Sequence, residues 1–110
     1  MLNFNELLNF DLLAKVKFVE TEFGGRQAPT FDGYRGQFFW HINHNQTTDW
    51  DATYIFTSGQ ANPGEVTECK ILLSENLKKV AQGNFKENDQ FCIREGHRIV
   101  ALGVILKSII

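Results

Sequence analysis

The stretch of sequence that decides the fold runs from residue 91 to residue 106 and reads FCIREGHRIVALGVIL. Two runs of apolar and β-branched residues flank the short polar segment Glu95-Gly96-His97-Arg98. A tight hairpin needs a residue that accepts a positive φ angle at its turn, and Gly96 supplies one. We therefore predict two antiparallel strands, at residues 90–94 and 99–106, joined by this turn.

The rest of the chain repeats this pattern of short strands and turns. Alternation of apolar and polar residues predicts further strands at residues 12–20, 38–43, 52–56 and 66–73. The segment Asn62-Pro63-Gly64 is a strong turn signal, and residues 74–81 fit either a helical turn or a loop. Six strands without a long helix predict an all-β fold, an antiparallel sandwich or a small barrel.

The alternation also predicts which side chains face the core. The expected inward set is Ala14, Val16, Phe18, Phe38, Trp40, Ile42, Thr67, Cys69, Ile71 and Leu73. Gly103 interrupts the last strand, which fits a barrel bend or a close approach of the backbone. We interpret Cys69 and Cys92 as reduced thiols of the core, because nothing in the sequence suggests an oxidising compartment.

The composition of the chain restricts the functions that it can have. A chain of 110 residues forms one domain, and 11 basic against 13 acidic residues give a net charge of −2. This balance excludes the strongly basic field of a general nucleic-acid binder, so any RNA contact must come from a local patch. The longest apolar run falls far short of the about 20 residues that a membrane helix needs. Residues 1–11 carry Glu6 and Asp11 and lack a secretory signal, so we expect a cytoplasmic protein.

All four arginines lie close to glycine, in residues 24–38 and 91–104. The loop at residues 21–36 is either a recognition loop or an ordered loop that closes a barrel end, held by Phe31 and Tyr34. Similarly, Arg94, His97 and Arg98 form either a small anion-binding edge or ion pairs with Glu95 that solvate the turn. Both alternatives stay open for each segment.

No pattern in the sequence is typical of an enzyme or a metal site. His41 and His44 are three residues apart, so in a strand they point to opposite faces, and Asp49 and Asp51 do not complete a zinc-type spacing. We find neither a phosphate-binding loop nor a nucleophile–histidine arrangement. We therefore expect no catalytic activity, no metal and no cofactor.

Taken in order, the motifs resemble one known family. The order is Gly-Gly-Arg-x-x-Pro-x-Phe-x-Gly-Tyr-Arg-x-Gln-Phe, then Asn-Pro-Gly-Glu, then Phe-x-Ile-Arg-Glu-Gly-x-Arg-x-Val-x-x-Gly-Val. This resembles the C-terminal domain (domain 3) of bacterial translation elongation factor Tu over about residues 12–108. The resemblance implies a six-stranded antiparallel β-barrel at residues 12–110, preceded by a short N-terminal extension at residues 1–11.

The resemblance also implies partners. In the full-length factor this barrel helps bind the T-stem backbone of aminoacyl-tRNA, packs against the GTPase domain and meets the exchange factor. By position, it assigns tRNA contacts to Arg26, Gln37, Glu95 and Gly96, which would offer a guanidinium, a side-chain amide and a backbone N–H to sugar and phosphate. It implies a non-enzymatic binding module of translation, with tRNA or translation-factor proteins as partners and no membrane.

The sequence departs from the family pattern on the side that faces RNA. Gln27 stands where the family has histidine, Gly36 where it has proline and His97 where it has a second glycine, and Gln46 falls near a family threonine. Because the sequence has no GTPase domain and no second barrel, we expect a free-standing domain 3-like protein. The alternative function is a protein-interaction mimic of domain 3, which occupies a partner of the elongation factor as a decoy or immunity-type protein.

Overall fold

The computed structural model describes residues 2–42, 46–81 and 83–110. Within these ranges the chain forms nine strands and one short α-helix. In chain order they are β1 (Leu12–Phe18), β2 (Thr30–Phe31), β3 (Gln37–Ile42), β4 (Gln46–Trp50), β5 (Ala52–Phe56), β6 (Gln60–Ala61), β7 (Val66–Leu73), α1 (Glu75–Ala81), β8 (Gln90–Glu95) and β9 (Arg98–Ser108). None of the helices in these ranges is long and apolar enough to cross a membrane.

Seven strands form one curled antiparallel sheet, a half-barrel. Its strand order is β4-β3-β8-β9-β1-β7-β5, and β2 pairs with β6 in a separate two-stranded ribbon. The β8–β9 hairpin pairs Glu95 with Arg98, and Gly96 at its tip has a φ of 63°. The predicted all-β antiparallel class is confirmed, and the predicted hairpin is present with the expected turn.

The structure divides the strands more finely than the sequence predicts. All six predicted strands are present, but β4 lies in a polar segment outside all of them, where the sequence shows no alternation. It pairs with β3 along its whole length, from Phe38 opposite Trp50 to Ile42 opposite Gln46. The two-residue strands β2 and β6 are too short to show any period.

The residues that fit either a helix or a loop form α1. Leu77 and Ala81, four residues apart, are buried on one side of it. The Ser74 hydroxyl accepts the N–H of Leu77 at 3.3 Å, in the position of an N-cap. The helix packs Leu77 and Ala81 into the core of the half-barrel.

The core fills the inner face of the curled sheet. Of the predicted inward residues, Thr67 is half-buried, the side chain of Ile42 lies outside the described residues, and the others are buried. The ring of Phe38 stacks on that of Phe91 at 4.6 Å between centroids. The Phe91 ring occupies the space that a side chain at Gly103 would need. A side chain therefore lies against this glycine, and not the backbone that one of the two sequence alternatives predicted.

One of the two cysteines predicted in the core lies elsewhere. Cys69 is buried in the core, but Cys92 is half-buried on the opposite face of the sheet; both are free thiols. Phe31, which holds the loop in one of the two sequence alternatives, leaves 59% of its surface exposed. The run Phe91-Cys92-Ile93 is apolar at every position, so alternation could not separate its two faces.

Asp11, assigned by sequence to the extension, is buried against the sheet. Its N–H donates to the carbonyl of Ile71, and its carbonyl accepts the N–H of Ile109. Its carboxylate accepts the N–H of Leu73 at 2.8 Å and lies 3.4 Å from the Lys78 ammonium. Asp11 therefore ties the start of β1 to β7 and α1, and the boundary between residues 11 and 12 stays a prediction.

Candidate functional site

Hydrogen bonds within the glycine-rich loop hold its backbone in place and fix the position of Arg26. Gly24 has a φ of 93° and donates its N–H to the carbonyl of Thr21, and the N–H of Gly25 donates to the carbonyl of Glu20 at 3.0 Å. The Thr21 hydroxyl donates to the carbonyl of Arg26 at 2.6 Å. The loop therefore reverses within a few residues and presents the Arg26 side chain to the β8–β9 turn.

Four side chains meet there, and we call Arg26, Tyr34, Glu95 and Arg98 the arginine cluster. Arg26 Nε lies 3.0 Å from Glu95 Oε2, and the Tyr34 hydroxyl donates to the same oxygen at 2.5 Å. Arg98 Nη2 lies 3.9 Å from Glu95 Oε1. The Arg26 guanidinium also sits over the Tyr34 ring, 5.4 Å from its centroid. Both oxygens of Glu95 are thus engaged, and two guanidinium groups share one carboxylate.

Tyr34 anchors this cluster to the half-barrel. Its carbonyl accepts the N–H of Tyr54, and its ring packs edge-on against Phe18 at 6.1 Å between centroids. Burial raises the pKa of Tyr34 far above its usual range, and the Glu95 carboxylate raises it further. Tyr34 thus stays protonated and keeps donating to Glu95 at any pH in ordinary use.

A second surface lies on the outer face of the sheet, opposite the core. A row of paired positions crosses five strands there: Phe39 faces Cys92, Cys92 faces Leu102, Leu102 faces Lys17, and Lys17 faces Val66. These residues line a groove of about 430 Å³, which we call the outer-face groove. Leu102 and Val66 leave 55% and 52% of their surfaces exposed, so much of the groove is apolar and open to solvent.

Residues 9–109 match the sequence model of the family described as "Elongation factor Tu C-terminal domain". The chain belongs to this family. The match covers both glycine-containing segments and every strand of the sheet. The arginine cluster and the outer-face groove therefore lie on a translation-factor domain of the elongation factor Tu type.

Of the four residues that the resemblance assigns to tRNA, the structure brings three together. Arg26 contacts Glu95 directly, and Gly96 follows Glu95 at the turn. Gln37 pairs with Arg94 across β3 and β8, on the outer face, and its amide donates to Asp51 at 3.4 Å. Paired strand residues share a face, so Gln37 lies beside the outer-face groove and not in the arginine cluster. The assignment of these residues to tRNA stays a prediction.

The remaining arginines differ in their contacts. Arg94 Nε lies 3.7 Å from Asp49 Oδ1, and its guanidinium covers the Phe39 ring at 4.7 Å from the centroid. Arg94 thus ties the edge strand β4 to β8, while Arg35 is exposed. For the β8–β9 turn, the ion-pair alternative is present, since Arg98 pairs with Glu95 while 55% of its side chain stays exposed. The anion-binding edge stays a prediction.

The outer-face groove was not predicted, although the sequence carries one signal of it. Residues 99–106 are apolar on both faces of β9, and a strand with one solvated face would alternate. The exposed side chain of Leu102 belongs to this second apolar face. In the described part of the chain no three metal-binding side chains cluster. The prediction that His41 and His44 point to opposite faces concerns His44 and the His41 side chain, which lie outside the described residues.

Replacement of Tyr34 by phenylalanine should lower the free energy of unfolding by about 1–2 kcal/mol near neutral pH, because a partly buried bond to a charged acceptor is lost. The folded protein also holds this proton above pH 10, where the unfolded chain releases it. The contribution of Tyr34 to stability is therefore complete below about pH 10 and decreases above it. Urea unfolding from pH 8 to 11 measures both effects.

The Tyr34→Phe variant should lose less stability than the wild type between pH 10 and 11. Buried Tyr54 and Cys69, whose pKa values are also raised by burial, stay in both proteins and account for the remaining slope. Equal slopes in the two proteins would mean that Tyr34 does not keep its proton in the folded state.

Proposed function

We propose that this domain is a non-enzymatic translation binding module, which holds the sugar–phosphate backbone of tRNA at the arginine cluster. The observation that supports it best is the meeting of Arg26 and Arg98 on the single carboxylate of Glu95. Two guanidinium groups against one carboxylate leave a local excess of positive charge. Guanidinium groups bind phosphate in a forked geometry, which suits this excess to a nucleic-acid backbone.

Within this proposal the four predicted residues have different roles. Glu95 is an orienting residue, because its two oxygens are already engaged by Arg26, Tyr34 and Arg98. The outer nitrogens of Arg26 and the exposed Arg98 meet the phosphates. The Gly96 backbone supplies a donor at the tip of the turn, where no side chain blocks the approach. Gln37 lies on the other face and does not contact the same stretch of RNA.

The net charge of −2 limits the strength of this interaction. Few phosphates are neutralised by a small cluster, so we expect weak binding with a modest dependence on salt. Titration of fluorescently labelled tRNA at several salt concentrations tests the proposal. The Arg98→Ala variant should weaken binding about tenfold and reduce the slope of log affinity against log salt by about one.

Lys107→Ala is the matched control, because it removes one exposed positive charge from the other end of β9. Its affinity and salt slope should stay those of the wild type. If Arg98→Ala and Lys107→Ala behave alike, or if the wild type shows no salt dependence, the arginine cluster does not bind RNA. Arg98 is preferred over Arg26 for this test because Arg26 also holds the glycine-rich loop in place.

A second candidate function, docking of a translation-factor protein, is favoured by the outer-face groove. Apolar surface that stays open on a sheet of this size is typical of a protein contact. The exposed Lys15 and Lys17, which line the groove, suit a partner that also presents carboxylates. A domain 3 mimic would use this face to occupy a partner of elongation factor Tu. The first partner to test is the GTPase domain of that factor.

Calorimetric titration of that GTPase domain separates the two functions. Leu102→Asp places a carboxylate opposite Lys17 in the middle of the outer-face groove, where it would be desolvated under the partner and would compete with the partner's carboxylates for Lys17. A cost of about 2 kcal/mol corresponds to an affinity about 30-fold lower. Leu8→Asp is the control, because Leu8 is 81% exposed and lies outside the groove. Unchanged binding by Leu102→Asp would exclude this face as the docking surface.

A further inference from the structure

The segment that precedes β1 closes into a single helical turn with reciprocal caps. The Asn3 side-chain oxygen accepts the N–H of Glu6 at 2.9 Å, and the Glu6 carboxylate accepts the N–H of Asn3 at 3.0 Å. The N–H of Leu7 then donates to the carbonyl of Asn3. Such reciprocal caps begin helices, but this turn does not propagate. It must therefore be held by contacts with the sheet.

One side chain of the sheet supplies those contacts. The Lys70 ammonium donates to the carbonyls of Phe4 and Leu7, at 2.5 and 2.9 Å. The rings of Phe4 and Phe10 flank it, with centroids 4.4 and 5.0 Å from Nζ. Within the described ranges, no carboxylate forms an ion pair with Lys70. Its charge is thus satisfied by two carbonyls and two aromatic rings of the preceding segment.

Lys70 lies on the outer face of the sheet, next to a residue whose burial needs an explanation. Its Cα pairs with Leu13 on β1 and with Ile55 on β5. Ile55 points away from the core side chains Tyr54 and Phe56, yet only 1% of its surface is exposed. The turn held by Lys70 lies next to this paired position, which fits the burial of Ile55.

We propose that residues 3–10 form a strap that opens and closes over the outer face of β5 and β7 while the half-barrel stays folded, with the Lys70 ammonium as its lock. Ordering eight residues costs substantial backbone entropy, and within the described ranges the hydrogen bonds that join residues 3–10 to the sheet all come from Lys70. Residues 3–8 also lie outside the family match, whereas every strand of the sheet lies inside it. In this proposal, opening of the strap exposes Ile55 on the edge strand β5.

Hydrogen–deuterium exchange on the full 110-residue chain tests the strap. In the wild type, the Glu6 and Leu7 amides should be protected, but should exchange at least about tenfold faster than the amides of β1 and β7, as expected for local opening. Lys70→Met keeps the aliphatic stem and removes the charge. It should increase exchange at Glu6 and Leu7 at least about tenfold and leave the β8–β9 hairpin within about twofold of the wild type.

Two further variants complete the test. Lys70→Arg retains a charged donor and should restore most of the protection, while Lys15→Met removes an exposed lysine from the same face and should change nothing. The proposal is overturned if Lys70→Met leaves Glu6 and Leu7 protected. It is equally overturned if that variant fails to fold or loses protection throughout the sheet, because the segment would then be an inseparable part of the half-barrel.

Discussion

Replacement of Asp11 by alanine should lower the free energy of unfolding by about 3 kcal/mol, the largest loss we expect from one polar side chain here. The Asp11 carboxylate accepts the buried N–H of Leu73 at 2.8 Å, and no water can replace it because Asp11 is only 6% exposed. Alanine would leave that N–H without an acceptor. Urea unfolding followed by tryptophan fluorescence measures the change, since Trp40 is buried in the core.

Glu75→Ala is a control for the ion-pair contribution. Lys78 Nζ lies 3.4 Å from Asp11 and 3.3 Å from Glu75, but the Glu75 side chain is 80% exposed. Loss of this exposed partner should change stability by less than about 0.5 kcal/mol. Asp11→Asn keeps an acceptor oxygen, so its loss of stability should lie between those of Asp11→Ala and Glu75→Ala. Similar losses for Asp11→Ala and Glu75→Ala would assign the effect to Lys78 and not to the Leu73 hydrogen bond.

Replacement of Gly25 by alanine should cost about 2–3 kcal/mol and move Arg26 away from Glu95. An added Cβ would lie 2.6 Å from the carbonyl carbon of Val19 and 2.8 Å from the carbonyl oxygen of Glu20. This backbone cannot easily give way, because the Val19 N–H is bonded to Val100 in β9 at 2.9 Å. Thermal unfolding gives the stability change, and the tRNA titration shows whether Arg26 has moved.

Gly24→Ala is the matched control at the neighbouring position. Gly24 has a φ of 93° but no atom within 4 Å of an added Cβ, so alanine there strains only the backbone. We expect a cost of about 1 kcal/mol. If Gly24→Ala proves the more harmful change, the conformation of the loop matters more than the space at Gly25.

Local patterns predicted the parts of the fold that depend on neighbouring residues. Alternation in β1 and the glycine turn of the β8–β9 hairpin are properties of a few consecutive residues, and both are confirmed. The role of Asp11 could not be predicted, because its partner Leu73 is 62 residues away. Edge strand β4 was missed for a related reason: its polar residues carry no period, and its pairing with β3 is what makes it a strand.

The candidate site was predicted in composition but not in arrangement. The resemblance named Arg26, Glu95 and Gly96, yet nothing in the sequence shows that Arg26 and Tyr34 share one oxygen of Glu95. Gln37 could have been separated from them by sequence. It precedes Phe38, which was predicted inward, so alternation already places Gln37 on the other face.

The two cysteines give the protein a natural reporter position. Cys69 is fully buried, and burial raises the pKa of its thiol far above the usual range, so alkylating reagents should not reach it in the folded state. Cys92 is half-buried in the outer-face groove, where burial raises its pKa and nearby Arg94 lowers it. A small maleimide dye at mildly alkaline pH should thus label Cys92 alone. A partner that covers the outer-face groove should protect Cys92, which pairs with Leu102, from the dye, so the rate of labelling would report occupancy of that face without any engineered cysteine.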